Sequence, residues 1–149
     1  MTINHRTAGF FRLDAHVDPI KDGPNVLILG LLSDTVLTLS RVGPPATTAA
    51  DQLEVSLHSW APDDFDALLP KNALLHLHGP ARDVLNHGIR LGLTAEQLRA
   101  RGVSVADDPS QDANNAKSPA PLFDYFGTWH HPVKRSPERI SIVFAFADP

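Results

Sequence analysis

The chain predicts a mainly β domain with a minor α component (α+β), either a small barrel or a curved antiparallel sheet with two short helices. Three observations predict it. Apolar residues recur at every second position in one segment after another, the period of a strand with one buried face. Helix punctuation occurs in only two short stretches. The length, 149 residues, suits one core that removes about two thirds of the unfolded surface from water, so residues 1–149 read as a single domain.

The elements follow in chain order. Phe11, Leu13, Ala15 and Val17 alternate with Arg12, Asp14, His16 and Asp18, a half-buried strand. Pro19, Asp22, Gly23 and Pro24 make a turn. Val26 to Leu32 is apolar on both faces and suits a central strand. After a turn at Ser33-Asp34, Leu37 and Leu39 alternate with Val36, Thr38 and Ser40. Leu53, Val55 and Leu57 alternate with Glu54, Ser56 and His58. Asp63 to Leu69 reads as a short helix, with acids in its first turn, where the helix dipole favours them, and Pro70 as its stop. Leu75 and Leu77 alternate with His76 and His78, and Pro80 to Gly102 is helix-like.

Within that stretch the second helix is well punctuated. Thr94 and Gln97 have capping-box spacing, Leu93 and Leu98 can form the staple around it, and Gly102 suits a left-handed C-cap. Gly88 and Gly92 read as flexible backbone between helical stretches. Asp107 to Pro121 is polar and rich in proline and asparagine, which predicts a mobile surface loop. The 28 residues after it are too few for a second core, so they should return to the same sheet. There Ile140, Ile142, Phe144 and Phe146 alternate with Ser141, Val143, Ala145 and Ala147.

Composition removes several function classes. With no cysteine there is no disulfide scaffold, no thiol nucleophile and no thiolate-ligated zinc or iron–sulfur centre. The longest apolar run is far short of the roughly 20 residues that span a bilayer, and the N-terminus leads into no signal-type apolar core. The expectation is a cytoplasmic protein without a membrane partner. The formal charge of −4 argues against a general nucleic-acid coat but leaves room for a local basic face. No Gly-x-Ser-x-Gly elbow and no phosphate-cradling glycine loop is present, and no cofactor is indicated.

Residues 53–79 run from a strand through a helix to Lys71-Asn72, an apolar strand and Gly79. This resembles the middle of the OB-fold domains of single-stranded-DNA-binding proteins. The resemblance covers about 27 of 149 residues and rests on a hydrophobic pattern; the chain departs from the family after Gly79. It implies an OB-like barrel and a single-stranded nucleic-acid ligand.

The segment Phe123 to Arg139 is where aromatic and basic residues interleave, and stacking plus phosphate contacts is the chemistry of single-strand binding. The leading expectation is therefore a non-catalytic binding module using Trp60, Trp129, Lys134, Arg135, Arg139 and Arg41. The same aromatic surface would also serve a protein partner. An apolar C-terminal strand left at an open sheet edge would favour a homo-oligomer.

The alternative is a metal-dependent enzyme. His76 and His78, two apart on a strand, share a face, and His58 lies on the strand before them. Asp14, His16 and Asp18 form a second alternating set that could hold a metal or orient a general base. The simpler account of both sets is the wet face of a one-sided sheet.

Overall fold

The structure is a computed structural model that describes residues 1–7, 12–42, 60–105 and 121–146, with the backbone alone for 128–131. In chain order the elements are β1 Thr2–Thr7, β2 Leu13–His16, a 3-10 turn Ile20–Asp22, β3 Asn25–Leu31, β4 Thr35–Ser40, β5 Phe65–Leu69 and β6 Leu74–His78. Then follow α1 Pro80–Asp83, β7 Asn86–Ile89, β8 Leu93–Thr94, α2 Ala95–Arg99, β9 Leu122–Phe126, β10 Thr128–Lys134 and β11 Glu138–Phe146. The strand expected at 53–57 and nearly all of the loop expected at 107–121 lie outside the described residues, as do His58 and the side chain of Trp129.

Among the described residues all pairings are antiparallel, in three sheets ordered β1-β11-β3-β6, β2-β7-β4-β5 and β10-β9-β8. The chain is mainly β, as its alternation predicts. Among the described residues the sheets do not close into a barrel, consistent with the curved open sheet of the two expected architectures. Among the described residues no helix is long and apolar enough to cross a membrane.

The first two sheets pack face to face. Val26 and Ile28 from β3 and Leu77 from β6 meet Leu37 and Leu39 from β4, Leu69 from β5 and Ile89 from β7. Every residue of β4 is buried, because its other face, with Val36 and Thr38, is covered as well. The covering element is β9, which lies against β4 and β5. A smaller apolar cluster, Leu93, Leu98 and Phe123, joins β8, α2 and β9. The capping box at α2 forms in both directions: Gln97 N–H donates to Thr94 Oγ1 at 3.1 Å, and Thr94 N–H to Gln97 Oε1 at 2.9 Å.

Three expectations are corrected. Residues 65–69 form strand β5 rather than a helix, because Leu69, Ala67 and Phe65 pair with Thr35, Leu37 and Leu39 of β4. Asp64 caps a turn instead, accepting the backbone N–H groups of Trp60 and Ala61 at 2.7 and 2.9 Å. Secondly, the stretch from Pro80 to Gly102 holds β7 and β8 between its two short helices. Thirdly, β11 is not at an edge; it pairs with β1 on one side and β3 on the other. The open-edge argument for an oligomer therefore does not apply to it.

Gly88 and Gly92 serve close packing rather than flexibility. A Cβ on Gly88 would sit 2.8 Å from both the Leu13 carbonyl oxygen and Trp60 Cη2. The backbone oxygen cannot give way. Gly88→Ala is expected to cost about 1–3 kcal/mol, read as a lower urea midpoint at unchanged slope.

Candidate functional site

Strand β2 does not follow the alternation that its sequence suggests. Leu13 pairs with Ile89 but His16 pairs with His87, so three steps along β2 match two along β7. That is a bulge, and it reverses the phase of every side chain beyond it. Leu13 packs against the core ahead of the bulge. After it, His16 and Asp18 turn inward, while Asp14 stays in solvent beside Arg12. The outward triplet expected at Asp14, His16 and Asp18 is thereby split.

What His16 and Asp18 meet is His87 on β7, only 2% exposed. One ligand atom from each of the three lies within 4.8 Å of the others. His16 Nε2 is 3.4 Å and His87 Nε2 is 3.7 Å from Asp18 Oδ1. The two rings are tilted at 51° with centroids 4.4 Å apart.

Two supports hold the group. His16 Nδ1–H donates to the Asp14 carbonyl at 2.8 Å, which fixes the tautomer and leaves the Nε2 lone pair toward Asp18. Arg82 on α1, 1% exposed, donates to the carbonyls of Asp18 and Pro19 at 3.0 and 2.6 Å. It thus clamps the backbone that carries Asp18. Burial holds the His87 pKa below the ordinary 6.5, with His16 and Arg82 pushing the same way and Asp18 opposing them. The ring is therefore neutral at pH 7. Neither of its nitrogens has a hydrogen bond: Nδ1 is buried without a partner, and Nε2 is too far from Asp18 for one. Asp18 Oδ2 is buried and unpartnered as well.

The other face of the same sheet carries a second polar cluster. Arg90 donates to Asp66 Oδ2 at 3.1 Å and lies between two aromatic rings, 5.6 Å from the centroid of Trp60 and 5.0 Å from that of Tyr125. Asp66 also accepts from Thr38 Oγ1 at 2.7 Å and from Gly127 N–H at 3.0 Å. Arg135 donates through Nε to Asp124 at 2.8 Å and through Nη2 to the Arg90 carbonyl at 2.7 Å.

The structure distributes the residues singled out for nucleic acid. Trp60 is half-buried, packed on Gly88 and Arg90. Arg41 is exposed, 3.8 Å from Asp63. Lys134 is exposed, whereas Arg135 and Arg139 are buried, Arg135 on Asp124. Of the first histidine set, His76 and His78 are exposed on the outer face of β6, rings 4.7 Å apart, with His76 Nε2–H donating to Asn25 Oδ1 at 2.8 Å. Among the described residues they join no metal-capable group; the one such group is His16, Asp18 and His87.

Sequence reasoning reached His16 and Asp18 but missed His87, which lies in a stretch read as helical. The available signal was Asn86-His87-Gly88-Ile89, where an apolar residue follows the histidine at strand spacing. Compared with known protein families and with curated proteins, the chain matches none.

Proposed function

We propose that this protein binds a divalent transition metal through His16, Asp18 and His87. The observation that supports this reading most is the convergence of His16 Nε2 and His87 Nε2 on Asp18 Oδ1, at 3.4 and 3.7 Å, around a His87 ring that burial keeps neutral. Neither contact is a hydrogen bond that a neutral imidazole presenting its lone pair could make to a carboxylate, and a cation between the three atoms would turn each into a ligand. The spacing fits. Tetrahedral ligands bound at about 2.0–2.1 Å lie about 3.3 Å from one another, close to the 3.4 and 3.7 Å found here.

Two imidazoles and one carboxylate suit zinc or ferrous iron and are poor hosts for calcium or magnesium. Three protein ligands leave a coordination position for water, as in catalytic rather than structural zinc sites. A metal there would lower the pKa of that water toward about 7 and supply a hydroxide for hydrolysis. The Asp14 carbonyl and Arg82 act behind the ligands, holding His16 and Asp18 in place.

Isothermal titration of chelator-treated protein with Zn²⁺ tests the reading. One equivalent should bind, and Asp18→Asn and His87→Gln should each weaken it by about 10-fold or more. Equal binding by wild type and both variants would sink the proposal, as would no binding at all.

A further inference from the structure

The β1-β11-β3-β6 sheet turns one face to the core through Val26, Ile28 and Leu77, with Leu75 and Val143 packed beside them. Alternate residues point to its other face. On an antiparallel sheet with one solvated face those positions are ordinarily polar. Here most of them are apolar. Ile3, Ile142, Leu29 and Leu74 form a row straight across all four strands. Ile140 with Leu31 lies on one side of that row, and Phe144 with Leu27 on the other. Ile3 and Leu74 are each 60% exposed, and Phe146, the next outward residue of β11, is 51% exposed. The outward leucines of β3 and isoleucines of β11 are half-buried between their neighbours, and none is enclosed.

We propose that this face is the interface of a symmetric dimer, in which the sheet packs on the same sheet of a second copy. Shape favours that occupant. A twisted sheet is covered well by another sheet of the same twist, about 10 Å away and with strands within about 30°. The inner face of this sheet is already covered in that way, by the sheet that holds β4. A second copy brings a face of the required twist and apolar character by construction, and a two-fold axis closes the contact at two chains. Charge favours it as well. The outward positions of the four strands hold no lysine or arginine, and their acid, Glu138, lies 3.5 Å from His5. An identical face therefore meets little repulsion, whereas an anionic lipid surface finds no cationic cluster to hold it.

The size of the face sets the strength. Four strands about 4.8 Å apart, with β11 from Ile140 to Phe146, make a patch of about 14 by 20 Å, about 300 Å² before side-chain relief is counted. Apolar patches of that order mark interaction sites on monomers. With a polar rim at His5, Asn25, His76 and His78, each copy approaches about 600 Å², the low end of specific interfaces. Part of the rim is already satisfied, since His76 donates to Asn25 at 2.8 Å. The dimer is thus weak and reversible, and its population follows concentration. The contact uses the face of β11, so it stands although β11 is not an edge strand. It is also independent of the metal reading, because His16, Asp18 and His87 lie outside this sheet.

Sedimentation velocity of the full chain in chelator tests the proposal, from low micromolar to near-millimolar concentration. The wild type should pass from one to two chain masses. The double variant Ile3→Lys, Leu74→Lys places two cations on each exposed flank and should weaken association by about 10-fold or more. Both positions are exposed, so the variant should melt with the wild type at the lowest concentration. At the highest, only the wild type should gain melting temperature. Ile20→Lys, 94% exposed on the 3-10 turn outside this sheet, should dimerise like the wild type. A wild type of one chain mass throughout would overturn the proposal. Undiminished association in the double variant, equal weakening in Ile20→Lys, or growth past two chains would do the same. A chain that stays monomeric but pellets with phosphatidylcholine vesicles would give the face to lipid instead. Zinc titration of the same variants, whose metal ligands are intact, reports on the other site separately.

Discussion

Arg135→Met is expected to lower the stability of the fold by about 3–5 kcal/mol. Arg135 is 3% exposed and bonds both Asp124 and the carbonyl of Arg90. Burial drives the Asp124 carboxyl pKa above its ordinary 3.8, against the pull of Arg135, its hydrogen bond and the Val36 backbone N–H. The balance shows how much Asp124 depends on this partner. Without the guanidinium, the desolvated carboxylate keeps only the Val36 N–H and the more distant charges of Arg90 and Arg139, and the Arg90 carbonyl loses its donor too. The melting temperature should fall by about 6–20 °C, given about 2–4 °C per kcal/mol for a domain of this size.

The double change Asp124→Leu, Arg135→Met is expected to recover most of that loss. Removing both charges abolishes both desolvation penalties, and buried pairs replaced in this way often prove neutral or stabilising. The space also suits it: Gly92 lies so close that an added Cβ would be 2.9 Å from Arg135 Cζ, and a methionine side chain is slimmer there than a guanidinium. Urea unfolding of the wild type, both single variants and the double variant completes the cycle. A single-variant loss below about 1 kcal/mol would mean that water reaches this pair and that its charges are screened as on a surface.

The pair also shows where sequence reading stops. Alternation marked β4, β6 and β11, and an apolar run marked the central strand β3, but alternation does not say which face is covered: β4 is buried on both, and in β11 the buried positions are Arg139 and Ser141 rather than the isoleucines and phenylalanines. The capping box of α2 was legible because Thr94 and Gln97 interact only with each other's backbone. Residues 63–69 misled for the opposite reason. Two acids and a proline imitate the ends of a helix, but the pairing of β5 with β4 is non-local and outweighs them. Arg135 and Arg139 looked like surface cations because a charge in a sequence is solvated by default. Arg135 is buried because it pairs with Asp124 on β9, which covers a sheet already packed on its other face, and Arg139 because β11 is flanked by strands on both sides. The metal site was half legible. His16 and Asp18 stand out as an alternating pair, yet they meet His87 only because of the bulge between Leu13 and His16, and no composition signal marks it.

Zinc at about 100 times its dissociation constant is expected to stabilise the protein by about 2.7 kcal/mol at neutral pH. That corresponds to about 5–10 °C in melting temperature. The linkage follows from binding to the native state alone. His16 and Asp18 are close in the chain, but His87 reaches them only through the pairing of β2 with β7, so the unfolded chain lacks the site. The effect has a definite pH sign. The metal takes a neutral imidazole from His87, so the zinc-dependent shift should shrink once the pH falls far enough below 6.5 for protons to compete for that ring.

The metal-free protein should move in the same direction for a different reason. The charged groups facing His87 are Asp18, His16 and Arg82, and burial leads them in setting its low pKa. Above 6.5 the ring is neutral in both folded and unfolded chains and contributes no pH dependence. As pH falls through the unfolded value, the unfolded chain takes up a proton that the folded chain refuses, and stability is lost. His87→Gln keeps the size and removes the titration, so its metal-free stability should be flatter between pH 7 and about pH 5 and its zinc shift should vanish. Melting curves across that range, with zinc and with chelator, separate the two effects. A zinc shift that persists in His87→Gln would place the metal elsewhere. A chelator curve as steep in the variant as in wild type would assign the acid sensitivity to other groups.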